Sequence, residues 1–176
     1  MEADTAEVRR RENAKKAREA ADLFFPGEKW KFVEDGIYLS SRRPIGKHSS
    51  YHNELRDARI LRDWGSTVYL VPDIRSAPGR KYDAIVNGLM VEFKNMHGAS
   101  TRTLKDHFLD SREQAPNVFI NLENSPLTWR KIINALYATR NSLDYGKKNK
   151  HEDGRIILKI KGQESLVYLY VADLKT

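Results

Sequence analysis

The chain has 176 residues, 40% of them apolar and 31% charged, and Lys+Arg exceeds Asp+Glu by 31 − 24 = 7. These figures favour one domain of ordinary size whose basic surface suits an anionic partner such as nucleic acid. The lack of cysteine excludes disulfide scaffolds, Cys-ligated zinc and thiol catalysis, and no apolar run is long enough to span a membrane.

Residues 2–22 are rich in Glu, Arg, Lys and Ala, which predicts a helix. Its apolar face, made by Ala6, Ala14, Ala17 and Ala21, is thin. Such a helix is expected either to lie loosely in solvent or to act as a basic arm, a role its acidic residues dilute. The aromatic-rich stretch from Phe24 to Leu39 is broken by Pro26-Gly27 and Asp35-Gly36, which predicts a turn and a short hairpin. Residues 1–48 are thus read as an N-terminal charged helix and aromatic-rich extension, and residues 49–176 as the principal domain. A helix is predicted from Ser49 or Ser50 to Trp64, stopped by Gly65, and a buried strand over 67–71.

Between Arg80 and Lys94, two apolar-rich runs flank Asn87-Gly88, the pair favoured in type I′ hairpin turns. A helix over 101–115 and a strand over 117–122 follow. Pro126 is expected to open a helix to about Arg140, with Trp129, Ile132, Ile133, Leu136 and Tyr137 on its apolar side. Residues 141–154 read as a polar loop, and strands over 155–161 and 165–171, joined at Gly162-Gln163, close the chain. This order predicts an α/β fold with a central mixed sheet flanked by helices.

The hairpin carries the chemistry. With Asn87-Gly88 as the turn, Asp83 is expected opposite Glu92. Alternation then puts Tyr82, Ala84, Val86, Leu89, Val91 and Phe93 on an apolar face, and Lys81, Asp83, Ile85, Met90, Glu92 and Lys94 on the other. Directly opposed like charges destabilise a strand pair unless a cation sits between them. A plain ionic cluster with Lys94 and a simply wet face are the competing readings, and Ile85 and Met90 count against full exposure. Upstream, Glu54 falls inside the arc of Tyr51, Leu55, Ala58 and Leu61 on the 50–64 helix. A core-facing acid needs a metal, a partner such as Arg62, or a margin position that reaches water. Asp57 falls outside the arc and is expected in solvent.

Glu54 on a helix, then a strand, then Asp83-x8-Glu92-x-Lys94 across a hairpin resembles the PD-(D/E)XK nuclease superfamily, and residues 88–94 (GLMVEFK) match its second half. The helix over 101–115 with Gln114 near its end, followed by the 117–122 strand, is similar to the segment that carries an auxiliary Gln or Lys. Within the superfamily, the short hairpin, the run Ser111-Arg112-Glu113-Gln114-Ala115 and the small basic size look most like the C-terminal tRNase toxin domains of contact-dependent growth inhibition systems. The chain departs from the pattern in having Lys81-Tyr82, without the nominal Pro, before Asp83. The resemblance implies a restriction-endonuclease-like core and a metal-dependent endonuclease. Asp83, Glu92, the Phe93 carbonyl and Glu54 would hold Mg2+ or Mn2+, with Zn2+ an alternative. Lys94 would orient the attacking water and offset charge in the transition state, and Gln114 would position phosphate or water. It further implies tRNA as the favoured substrate, a cognate immunity protein as partner, and delivery from a larger secreted or cell-surface toxin into the target-cell cytoplasm.

Other residues stay open. His97 is either a general acid or an exposed loop histidine, and His48, His52, His107 and His151 have no ligand-like spacing. Arg42, Arg43, Lys47, Arg102, Lys105 and Arg112, with Lys147, Lys148 and Lys150, would either line a phosphate track or be ordinary surface cations. The alternatives in function are a structure-specific DNA endonuclease of a mobile element or phage, a non-catalytic nucleic-acid-binding or capsid-associated module, and a metal-free RNase using His and Lys.

Overall fold

The turn at Asn87-Gly88 forms as the dipeptide predicts, with φ of 50° and 90°. The computed structural model describes residues 2–46, 50–72, 82–140, 142 and 154–174, with side chains from residue 5 onward. The chain divides into two compact units, Met1–Val91 and Glu92–Thr176. The described residues form four α-helices and eight strands of mixed direction, an α/β fold.

In the first unit, α1 (Glu2–Phe24) precedes the hairpin β1 (Trp30–Glu34) and β2 (Ile37–Ser40), turned at Gly36. Helix α2 (Tyr51–Asp63) carries the chain to β3 (Val68–Leu70), which lies parallel to β2, as parallel neighbours require a crossover. Gly65, with φ of 83°, stops α2 as expected. Strand β4 (Ala84–Val86) runs antiparallel to β3 and leads through the turn into β5 (Leu89–Asn95). Strand order here is β1-β2-β3-β4-β5.

Within the first unit, Ala17 and Ala21 of α1 are fully buried and the Trp30 ring meets Tyr69 edge-on at 5.1 Å. The docking face of α1 is Ala17 and Ala21, whose small side chains let the backbone come close, while Ala6 and Ala14 are exposed. A Cβ on Gly88 would lie 3.3 Å from the Lys16 carbonyl of α1. The type I′ turn thus needs glycine twice, for its φ and for this approach. The Asn87 side chain braces the same corner, accepting from Thr67 N–H at 2.8 Å and donating to Ser66 Oγ at 3.2 Å.

In the second unit, β5 continues beside α3 (Thr101–Gln114), β6 (Asn117–Leu122), α4 (Trp129–Tyr137), β7 (Arg155–Ile160) and β8 (Val167–Tyr170), with a short 3-10 turn at Ala172–Leu174. Strand order is β5-β6-β7-β8, with β6 and β7 parallel and β7 and β8 antiparallel. Met96, Leu104, Phe108, Ile120, Ile132 and Leu158 centre its core. Ser100 caps α3, its Oγ accepting from Thr103 N–H at 3.2 Å. Gly154 enters β7 so close to the Pro116 carbonyl and the Arg112 guanidinium that no side chain fits there.

Two helix expectations are corrected. Helix α4 starts at Trp129 behind Thr128, not at Pro126, because Ser125 Oγ holds the approach extended by donating to Gly98 O at 2.8 Å and accepting from Leu127 N–H at 3.3 Å. Trp129 and Tyr137 are exposed; Ile132, Ala135 and Leu136 form the buried stripe. The expected loop over 141–154 lies almost wholly outside the described residues.

Docking through alanines has a measurable consequence. Ala17→Leu should lower stability by about 1–3 kcal/mol through overpacking, read as an earlier urea midpoint. An unchanged midpoint would mean that α1 does not bear on the first unit as described.

Candidate functional site

Glu54 projects from α2 into the first unit, and its side chain is 7% exposed. A carboxylate this deep needs a compensating charge. The charge comes from Arg43, in the basic loop after β2, whose Nη2 donates to Glu54 Oε2 with its own side chain 5% exposed. The same guanidinium donates through Nη1 to the Val71 carbonyl and, at 3.3 Å, to the Asp83 carbonyl, and it stands 3.9 Å from Asp83 Oδ1. Arg43 therefore ties together the loop after β2, α2, the end of β3 and the start of β4.

Two readings change here. Arg62, the partner suggested for Glu54, instead pairs with Asp63 and Glu34, at 2.7 and 3.7 Å. Asp57, expected in solvent, is fully buried. It lies about 40° beyond Leu61 on the helical wheel, so the buried arc of α2 is wider than the apolar pattern that announced it.

The hairpin register matches the expectation through Ala84↔Val91. Asp83 N–H donates to Val91 O at 3.2 Å, so two successive residues address Val91 in the manner of a β-bulge, and the Asp83 carbonyl accepts from Val71 N–H at 3.1 Å. The second face of the hairpin is not simply wet: Ile85 and Glu92 are both buried.

In the second unit, Glu92 and Lys94 project from β5. Lys94 Nζ donates to Glu92 Oε1 at 2.7 Å, with side chains 18% and 5% exposed respectively. The Phe93 ring, between them in sequence, packs edge-on against Phe119 at 5.8 Å. His107 of α3 is a residue that sequence reasoning passed over. Burial, and then the nearby charge of Lys94, hold its pKa below the ordinary 6.5, against the opposing pull of Asp110 and Asp106. A signal was available: His107 and Gln114 are seven residues apart, two helical turns, and share one face of α3. Gln114 itself is half-buried at the end of α3, with Nε2 3.5 Å from the Asp110 carbonyl.

The oxygen donors assigned to a metal are of the right chemical type for a hard divalent cation. Among the described residues, however, no three His, Asp or Glu side chains form a ready ligand set. The positive charge beside Glu54 and Asp83 is Arg43, and that beside Glu92 is Lys94.

The expected phosphate track is largely redistributed. Arg43 is consumed by Glu54, and Arg112 is fully buried. Arg112 Nη1 donates to the Pro116 carbonyl, its Nε and Nη2 have no hydrogen-bond partner among the described residues, and burial lowers its pKa to about 10. Arg42 is exposed but donates to Glu28 at 2.5 Å. Arg102 is open to solvent, 3.9 Å from Asp106, and Lys105 is half-buried. His97 is an exposed loop residue. Lys47, His48, Lys147, Lys148, Lys150 and His151 lie outside the described residues.

No family model matches the chain, and no curated protein matches it. Among solved structures it is similar to a chain of the CdiA-CT/CdiI toxin and immunity complex from Burkholderia pseudomallei, with a TM-score of 0.51 and 20% identity over 75% of this chain and 98% of that one. That likeness is one of fold.

Two predictions come from this geometry. Arg43→Met leaves Glu54 buried without its partner and should cost about 3–5 kcal/mol, whereas adding Glu54→Leu should return most of that loss. Equal urea midpoints for the single and double variants would refute the account. His107, with its folded pKa depressed, contributes stability that is complete above pH 6.5 and is lost as pH falls through the folded value. Between pH 7.5 and 5, the parent should therefore lose more stability than His107→Gln in urea titrations.

Proposed function

We propose that this chain is a metal-dependent endonuclease toxin domain that hydrolyses phosphodiester bonds in RNA, with tRNA as the favoured substrate. The observation that carries the reading is the part-buried Glu92–Lys94 ion pair at 2.7 Å, presented at Glu-x-Lys spacing on one strand. The similarity of fold to a chain of a toxin and immunity complex supports the toxin setting. So does the surplus of seven positive charges, which favours a polyanionic substrate and an acidic protein partner.

In this reading, as the resemblance implies, Asp83, Glu92, Glu54 and the Phe93 carbonyl would supply oxygen donors to Mg2+ or Mn2+. When bound, such an ion lowers the pKa of water and stabilises charge on phosphoryl oxygens. The remaining work belongs to the chain. Lys94, held by Glu92 in a poorly hydrated setting, orients the attacking water and meets the charge that grows on the phosphoryl group. Gln114 positions phosphate or water. The domain would be made as the end of a larger surface-delivered protein, act inside the recipient cell, and be neutralised in its producer by a cognate immunity protein. Among the described residues no helix is long and apolar enough to cross a membrane.

The test is incubation of the full chain with total tRNA and, separately, plasmid and branched DNA, with magnesium or with EDTA. Cleavage of tRNA should need the metal and vanish in Asp83→Asn and Glu92→Gln. Lys94→Ala should lower kcat by about 100-fold or more while KM changes little, as for a group acting in the transition state. Cleavage of DNA alone would move the activity to a mobile-element endonuclease, and RNA cleavage that survives EDTA would remove the metal.

A further inference from the structure

Two adjoining cavities in the first unit run along α1. One, of about 520 Å³, is lined by Arg9, Arg10 and Asn13 of α1 and by Trp64 and Gly65 past the end of α2. The other, of about 420 Å³, shares Arg10, Asp63 and Gly65 and extends to Asp35 and Tyr38. Both fall in the size range of small-molecule sites. The walls are fastened to each other, since Asn13 Nδ2 donates to the Gly65 carbonyl at 3.0 Å.

The charge along this groove is uneven. Asp63 accepts from Arg62 at 2.7 Å and Glu7 from Arg11 at 3.1 Å, so these two acids each have a cation, whereas Asp35, on the second cavity, has no ion pair among the described residues. Arg9 and Arg10 make no ion pair among the described residues. Trp64, the residue that ends α2, lines the same cavity and leaves its indole 47% exposed. In the first cavity, a large aromatic surface beside two guanidinium groups that have no ion pair among the described residues matches a ligand with a flat π-face and an adjacent anion.

We propose that this groove binds one or two nucleotides of single-stranded nucleic acid, with a base stacked on Trp64 and its phosphates on Arg9 and Arg10. The inference rests on the nuclease reading and gives it a substrate subsite. A base paired inside a duplex cannot reach a stacking platform, so the strand here is an unpaired loop or end. The helix that composition alone left as a loose appendage becomes one wall of the substrate groove.

The experiment measures affinity of the full chain, in EDTA to stop turnover, for three labelled probes: a single-stranded 12-nucleotide RNA, its abasic analogue and an RNA duplex. Trp64→Ala should weaken binding of the single strand by about 5–150-fold, the range for loss of one stacked base. Trp64→Phe should restore most of it, and the abasic probe should not register either change. Removing Arg9 and Arg10 together should flatten the salt dependence by about 1.4 log units per decade of salt. Thermal midpoints of all variants should match the parent, since these side chains are exposed. Single-strand affinity indifferent to Trp64, equal loss on the abasic probe, or a groove that instead protects against an acidic protein partner would each overturn the proposal. Trp64-dependent binding without metal-dependent cleavage would leave the groove standing and remove the nuclease reading; cleavage indifferent to Trp64 and both arginines would do the reverse.

Discussion

A carboxylate withdrawn from water must meet a positive charge where it stands, and the first unit is organised around one such encounter. Arg43 spends its guanidinium on Glu54, on the Val71 and Asp83 carbonyls, and on the neighbourhood of the Asp83 carboxylate. Four segments distant in sequence thereby share one group. Replacing such a pair by apolar side chains is often no loss of stability, whereas removing one member is costly. The arrangement is therefore better understood as fixing position than as adding stability. It sets where Glu54 and the start of β4 must be.

The second unit solves the same problem more locally. Glu92 and Lys94 are neighbours on one face of β5, and their ion pair is written in the two-residue spacing itself. A pair of this kind is legible in a sequence; the Arg43–Glu54 pair, closed across a loop and a helix, is not.

That contrast describes how much could be read in advance. The Asn87-Gly88 turn, the register of β4 on β5, the crossover helix α2 and the strand pair at the C-terminus were legible because each depends on local chemistry or a short period. Glu54 was placed correctly as a core-facing acid, but its partner was not foreseen, since nothing in a loop arginine marks it as buried. Asp57 and Arg112 were read as surface residues for the same reason: periodicity reports apolar side chains, and both are polar groups taken inside by the tertiary fold. The helix α1 was underestimated because alanine carries little hydrophobic signal, although its smallness is what permits close approach. His107 was missed because a ligand-like spacing of histidines was sought, when its bearing comes from the charge of Lys94 and from sharing a face with Gln114.

Gly154 has a bearing on how this architecture could be remodelled. The connection that precedes it is long and polar, the kind of segment evolution and engineers alike lengthen, shorten or exchange freely. Its point of return to the sheet has no such latitude, because the gap beside the Pro116 carbonyl and the Arg112 guanidinium admits backbone and nothing more. Any segment transplanted before it must come home through that keyhole on a residue without a side chain.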